Sequence, residues 1–511
     1  MEPKRNTIFG LAFLMLLSII LIYGRVFKYP FIQDDWYILD SIRSLGCMKY
    51  LSGIFSVTDD IFYRPVGKVY FVGIYQIFRF DSMGFHIVAL FLHFVNSLLV
   101  VYIALEITGD RLISWSTGFL YAVAITVHMD SFLWMVGIYD IGGAFFFFLS
   151  FLLFLRGKLS WSAAVYCLAI FTKESTIILL PILFFYKVYE AKNLNPFYQN
   201  FKLHATALWR HIITLVLYGI IRIPSIALIP TSKDNPYHFQ LTGPHIEENI
   251  NLFFRWGIEA INPFFEISFY PSLVIFGFII LLILIHYRSK IEPGKAFFLE
   301  LWMILGLLPV IFLTNHFYRY YLTYSIPSFL ILLLYGFRSM IVSLKTNHKI
   351  VISTYLIVIT TSIISSMIYF AELDKQEFDV PTIPGSGNLI RKGTIVNMVK
   401  NYLLSEYPVL SKNTSLVFNW VPTIAFGRSI GPRVWYNDTT IRVYEAVYVR
   451  VDSLGMYVEP STGNDQEINK LDPHKTLLLK FHGDYIRTTD LKDFLDRSPI
   501  KHPKIGDDIK K

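Results

Sequence analysis

Two adjacent carboxylates, Asp34 and Asp35, stand in the run Phe31-Ile-Gln-Asp-Asp-Trp-Tyr37, about ten residues beyond an apolar stretch long enough to cross a bilayer. Two roles are open to them. Asp favours helix N-caps, and a helix over 36–44 would follow. Held at a membrane surface, the same pair could do acid/base work or bind a cation. Arg64 and Lys68, in Tyr63-Arg-Pro-Val-Gly-Lys68, lie on the same connection. Each alone is a solvated charge, whereas together they could bind phosphate, Arg in bidentate fashion. Lys173-Glu174 stands between two short apolar runs, where charge is costly unless paired, wet or functional. Arg319 and Tyr320 lie in Asn315-His-Phe-Tyr-Arg-Tyr-Tyr321, which is either an interfacial aromatic belt with a snorkelling Arg or a second phosphate contact. His128, Asp130 and Asp140 are candidate metal ligands at a spacing that matches no standard site. The sequence neither requires nor decides a divalent metal. His86, His93 and Asn96 fall inside an apolar run, where interhelical hydrogen bonds are the expected use.

The elements that position these groups are membrane helices. Of the 511 residues, 54% are hydrophobic and 16% charged, against the roughly 25% charged of a soluble domain. Mean hydropathy is +0.48. Apolar stretches recur near 7–24, 84–107, 112–128, 138–155, 159–172, 175–188, 208–229, 269–286, 296–314, 321–337 and 350–370, which predicts about eleven spans. The runs at 159–172 and 175–188 are short enough to be a broken helix. The first run lacks a cleavage signature and is expected to be a retained membrane helix. The excess of Lys and Arg, 46 against 38 Asp and Glu, sits mostly in alternate short connections. It therefore reads as a topology signal and not as a nucleic-acid surface. The rule puts the N-terminus in the cytoplasm. Asp34, Arg64, Lys173, Arg319 and the chain beyond 371 fall on the opposite side, in the cell membrane or in the endoplasmic reticulum membrane of a eukaryote. The basic first outer connection, 25–83, departs from the rule. Its segment 66–78 and the aromatic stretch 253–265 suggest interfacial pieces.

Charges and turn residues return after Glu372, with a helix expected near 391–406 and strands near 414–421, 440–451 and 475–482. The expected fold is an all-α polytopic membrane bundle over 1–370, with outer juxtamembrane helices in 25–83, followed by a small α/β soluble domain over 371–511. Cys47 and Cys167 occupy a connection and an apolar run, so no disulfide is expected.

An acidic pair after the first membrane helix, a Tyr-Arg-Pro some tens of residues later, a Lys-Glu at mid-chain and an Arg-Tyr at a late outer connection together resemble the GT-C superfamily of integral membrane glycosyltransferases. The likeness is to the protein O-mannosyltransferase and tetratricopeptide-containing mannosyltransferase branch and to bacterial relatives including the aminoarabinose transferases. It covers roughly 7–370 as an arrangement. The resemblance implies a polyprenyl-phosphate-linked sugar as donor, transfer with inversion to an acceptor hydroxyl on a glycan, lipid or protein, and an active site on the extracytoplasmic face. It implies that Asp34 is the general base with Asp35 its neighbour, and that Arg64, Lys173 and Arg319 lie near the donor; Lys68, Glu174 and Tyr320, in the same runs, are further candidates for binding substrate. The chain departs from those relatives in having no tetratricopeptide repeats.

The alternative is a lipid or polysaccharide transporter or flippase. That would predict symmetric halves with broken helices meeting at the midplane. The sequence shows no such symmetry, and its charges collect on one side.

Overall fold

The computed structural model describes residues 5–56, 62–190, 197–224, 232–233, 235–265, 292–343, 348–375, 386–419, 421–452, 455–460, 469–481 and 486–489. In chain order the helices are α1 (Arg5–Tyr23), α2 (Asp34–Leu45), α3 (Cys47–Gly53), α4 (Pro65–Phe78), α5 (Ser82–Thr108), α6 (Arg111–Val123), α7 (Ile125–Leu133), α8 (Ile138–Leu155), α9 (Leu159–Thr172), α10 (Leu179–Glu190), α11 (Phe197–Arg222) and α12 (His245–Glu259). There follow α13 (Pro293–Leu307), α14 (Ile326–Ser343), α15 (His348–Lys375), α16 (Ser386–Glu406) and, between β1 (Ser415–Asn419) and β2 (Arg442–Asp452), α17 (Ile430–Trp435). The chain ends in β3 (Gly455–Pro460), β4 (Asn469–Leu471), β5 (Thr476–Phe481) and β6 (Ile486–Thr488).

These elements form two compact units. The first comprises residues 1–27, 47–132 and 137–371; the second comprises 28–46, 133–136 and 372–511.

The first unit is a helical membrane body. Among the described residues, four helices are long and apolar enough to cross a membrane: Asn6–Lys28, Ser82–Thr108, Met135–Leu155 and His348–Lys375. The pair α6 and α7, bent by 46°, makes a fifth if counted as one span. The run expected at 159–172 is α9 itself, whereas those at 175–188 and 296–314 form the shorter helices α10 and α13. The 159–188 region breaks at Lys173, between the two short runs expected there, and α13 stops at Leu307. The run at 269–286 lies outside the described residues. Local sequence explains the boundaries that are sharp. Asp110 caps α6, its carboxylate accepting from the N–H groups of Leu112 at 2.9 Å and Ile113 at 3.2 Å. Gly109 just before it takes φ +67°, a left-handed C-cap for α5. Gly118 lets α5 and α6 touch, since a Cβ there would lie 2.2 Å from Val101 Cγ2. The core is aromatic: Phe147, Phe148, Phe151 and Trp302 are fully buried, with Trp302 donating its indole N–H to the Tyr324 carbonyl at 2.9 Å. His93 and Asn96 make the expected interhelical bonds, to the Ala122 and Ile141 carbonyls, each at 3.0 Å.

The second unit is α/β. Its sheet runs in the order β4-β3-β2-β1-β5-β6. β1 is central and parallel to both β2 and β5, with Ser415 opposite Arg442 and Thr476. The outer pairs are antiparallel. Leu416, Val417 and Phe418 are fully buried, as a central parallel strand covered on both faces requires. Helix α16 buries Val396, Val399 and Leu403 on one stripe. The helix and three of these strands coincide with the sequence expectation; β3, β4 and β6 are additional.

Candidate active site

In the second unit, the chain enters α2 through a turn that the C-terminal segment holds from several sides. Lys28 Nζ is paired with Asp374 at 2.5 Å, and Tyr29 donates its hydroxyl to the same carboxylate. Asn397 on α16 donates to the Lys28 carbonyl at 3.1 Å, and Gly393 one turn earlier admits the Tyr29 ring, which a Cβ would meet at 2.7 Å. Gln33 occupies the N-cap position at φ +49°, and its N–H bonds the Ala425 carbonyl at 3.0 Å. Trp36 donates to the Phe31 carbonyl at 2.9 Å and meets Trp435 edge-on.

Inside this turn the two carboxylates divide. Asp35 is completely buried. Its Oδ2 accepts from the N–H groups of Ile32 at 2.9 Å and Met135 at 3.3 Å, and its Oδ1 from Val136 at 3.0 Å. Burial pushes its carboxyl up to about 8, against the pull of these three donors and with the help of the Asp34 charge. Asp34 is exposed. Its carboxyl is raised from the ordinary value, first by the protein crowded around it, while the Lys392 charge from α16 acts in the opposite direction. Neither aspartate supplies a side-chain cap at the N-cap position, which Gln33 fills.

The first unit gathers the basic candidates, and Arg64, Lys173 and Arg319 are each paired with a carboxylate. Arg64 ends the loop before Pro65, whose ring supplies the first residue of α4 without needing a donor. The guanidinium is forked onto Glu174, with Nε donating to Oε2 at 2.7 Å and Nη2 to Oε1 at 2.5 Å. Phe62 and Tyr139 cover it, their ring centres 4.3 and 5.4 Å from Cζ. Lys173 sits in extended conformation between α9 and the 3-10 turn Glu174–Ile178, so its side chain leaves the helix axis. Its Nζ lies against Asp140 on α8 at 3.1 Å and over the Tyr320 ring at 5.7 Å. Gly143, one turn along α8 from Asp140, makes the room: a Cβ there would come within 3.0 Å of Lys173 Cβ. The Arg64 charge, opposed by burial but favoured more by Glu174, is held upward, and Glu174 is held down to about 2 by Arg64 and Lys173 against its own burial. Lys68 lies one turn into α4, half-buried, with its N–H on the Arg64 carbonyl at 2.9 Å.

Arg319 opens a 3-10 segment, Arg319–Tyr324, and pairs with Glu259 at 2.6 Å over the face of Trp256. Glu259 also accepts from Arg255 at 2.8 Å. Tyr320 is buried and stacked on Tyr318. His316 shares a hydrogen bond with the Tyr321 hydroxyl and packs on Tyr237 at 4.5 Å. Burial, then the charges of Lys173 and Arg64, lower His316 to about 4, so it is a neutral imidazole at pH 7. Tyr237, Glu259 and Lys392 were not singled out from the sequence, and His316 and Tyr321 stood out only as flanks of Arg319 in the run 315–321. A charged residue inside the aromatic stretch 253–265 was the one available sign for Glu259; Tyr237 and Lys392 carry no local pattern.

The metal candidates separate by partner. Asp140 faces Lys173, whereas His128 lies 4.4 Å from His93 and 4.6 Å from Tyr121, ring to ring. Asp130 is buried on the same helix as His128. Among the described residues, no three His, Cys, Asp or Glu side chains gather as a metal site would require.

No family model and no curated protein matches the chain. Among solved structures it is similar to ArnT from Cupriavidus metallidurans in the apo state, with 11% identity and a TM-score of 0.47 over 86% of this chain and 87% of that one. It is similar to the same protein bound to undecaprenyl phosphate, with 12% identity and a TM-score of 0.46 over 87% of each chain. It is also similar to the oligosaccharyltransferase of Archaeoglobus fulgidus in the apo form, with 11% identity and a TM-score of 0.45. That match takes in 82% of this chain and spans 63% of the oligosaccharyltransferase.

Proposed function

We propose that the protein is a membrane glycosyltransferase that moves a sugar from a polyprenyl-phosphate carrier to an acceptor hydroxyl on the extracytoplasmic side, with inversion at the anomeric carbon. The observation that carries this reading is the pairing of buried Arg64 and Lys173 with carboxylates inside a helical membrane body, at the positions that the GT-C resemblance assigns to the donor. Buried cations of this kind are costly in a membrane protein and mark substrate sites by default.

In the proposed reaction the acceptor oxygen attacks the anomeric carbon. The bond from that carbon to the phosphate oxygen breaks, and polyprenyl phosphate leaves with the electron pair. The acceptor proton passes to Asp34. Asp34 suits this role because it is the exposed member of the pair, while all the hydrogen bonds of Asp35 go to backbone and fix the turn. A positioned base contributes typically about 10²–10⁴-fold. Arg64, Lys173 and Arg319 are the groups offered to the growing phosphate charge, an interaction stronger in the transition state than before it. Lys68 and Tyr320 flank them.

The test is sugar transfer by purified protein from a panel of defined polyprenyl-phosphate sugars, with Asp34→Asn as the control. Transfer that disappears in the variant is the expected result. A panel that yields no transfer, together with lipid movement across proteoliposomes, would replace this reading with the flippase.

A further inference from the structure

The pairs Arg64–Glu174 and Lys173–Asp140 of the first unit differ in a way that matters for an incoming anion. Lys173 and Asp140 are both sealed, their side chains 9% and 7% exposed. Arg64 is equally enclosed at 10%, but its partner Glu174 is 37% exposed. Glu174 is also outside regular helix, in the 3-10 turn between α9 and α10. Its carboxylate therefore has water to swing into.

Glu174 covers the edge of Arg64 that a phosphate would want. The Nε and Nη2 groups form the fork that carboxylates and phosphates both engage with two parallel bonds. Both ligands cannot hold it together. The charges agree with an exchange. Arg64 and Lys173 balance Glu174 and Asp140. With Glu174 turned to water, the remaining three groups carry a single positive charge, the complement of a phosphodiester's single negative one.

We propose that Glu174 is a displaceable internal anion that holds Arg64 in place, yields it to the donor phosphate, and returns to compete the lipid phosphate product away. The proposal rests on the reading that Arg64 binds the donor phosphate. It gives Glu174 a role opposite to that of an attractive contact: removing its charge tightens phosphate binding and slows product release. Glu174 is ionised throughout the physiological range, so its competition is constant with pH there.

The experiment measures binding of undecaprenyl phosphate, and separately of inorganic phosphate, to purified full-length protein in detergent. Removing the competing charge from the fork should lower Kd roughly tenfold in Glu174→Gln, about 1.4 kcal/mol. Glu174→Asp, which withdraws the carboxylate by one methylene and keeps its charge, should give a smaller decrease. In turnover with a polyprenyl-phosphate sugar, Glu174→Gln should lower KM and kcat together. Tighter binding of undecaprenyl phosphate but not of inorganic phosphate assigns the site to the lipid; tightening of both assigns it to phosphate as such, and either supports the exchange. A folded Glu174 variant that binds undecaprenyl phosphate more weakly overturns the proposal, as does failure of both variants to fold, which would make the pair a fixed strut. Arg64→Ala separates the two levels. If that variant binds undecaprenyl phosphate normally, the donor reading itself fails. If it binds weakly while Glu174→Gln is unchanged, only the exchange fails.

Discussion

Lys173 Nζ stands 3.1 Å from both carboxylate oxygens of Asp140, with both side chains less than a tenth exposed. A pair buried this far is a poor place to lose one partner. Breaking such a pair typically costs about 3–5 kcal/mol, because the remaining charge is left in a low dielectric. Lys173→Met and Asp140→Asn should each lower the melting temperature strongly, and the double variant should lose much less than their sum. A thermal melt of the four proteins measures the coupling. Additive losses would mean that the two residues act independently, and the pair would then have no claim as a unit of the site.

The division of labour between Asp34 and Asp35 predicts opposite signatures. Asp34→Asn keeps size but cannot take a proton. Turnover should fall by roughly 10² or more, with little change in melting, since an exposed carboxylate stabilises little. Asp35→Asn presents an N–H2 where backbone N–H groups already point inward. Leaving buried donors unsatisfied costs about 1–3 kcal/mol each, so the melting temperature should drop before any effect on rate can be read. A folded, inactive Asp35→Asn beside an active Asp34→Asn would reverse the assignment within the pair.

Lys392 gives a prediction in pH. Protein crowding raises the Asp34 carboxyl and Lys392 lowers it. A general base works when ionised, so activity rises with pH through this group's pKa. Removing the cation leaves the upward shift unopposed. In Lys392→Met the acid limb of the kcat/KM profile should therefore move to higher pH, while Lys392→Arg should keep it in place. Asp35 is the neighbour of Asp34, Arg433 on α17 is committed to the Ile441 carbonyl at 2.8 Å, and the segment 133–136 carries no charge. An unmoved limb in Lys392→Met would remove Lys392 from the site.

Much of this arrangement was visible in the sequence, because hydropathy and charge are local. The apolar runs at 7–24, 84–107, 138–155 and 350–370 correspond to α1, α5, α8 and α15, and the acidic pair, Arg64, Lys173 and Arg319 stood out as charges beside apolar runs. Sequence left the three cations looking unpaired, whereas Glu174, Asp140 and Glu259 neutralise them. Asp140 comes from 33 residues before its partner and Glu174 from 110 after Arg64, distances over which no periodicity speaks. The placement of 28–46 in the same compact unit as 372–511 was equally hidden. It depends on Gly393, Asn397 and Ala425 meeting a turn more than three hundred residues earlier, and none of these has a composition signature.

That long-range closure can be tested at one glycine. Gly427 follows the 3-10 turn Thr423–Phe426 and takes φ +64°, where a residue with a Cβ costs about 1–2 kcal/mol. Space is the larger objection. A Cβ would lie 2.5 Å from Trp36 Cβ and 3.1 Å from its Cγ, atoms too near the α2 backbone to rotate away. Trp36 must then move, and with it the indole bond to the Phe31 carbonyl at 2.9 Å that ties the two ends of the aspartate turn. Gly427→Ala should therefore cut sugar transfer even though the residue is neither charged nor near any proposed proton or phosphate contact. Gly109→Ala is the matched control. Its φ is +67° and nothing lies within 4 Å of the added carbon, so it carries the backbone strain without the collision. Transfer rates for both variants, compared at a temperature well below either melt, should show a loss in Gly427→Ala alone. Equal rates would mean that the turn holding Asp34 tolerates displacement of Trp36, and that the C-terminal segment does not set the position of the proposed base.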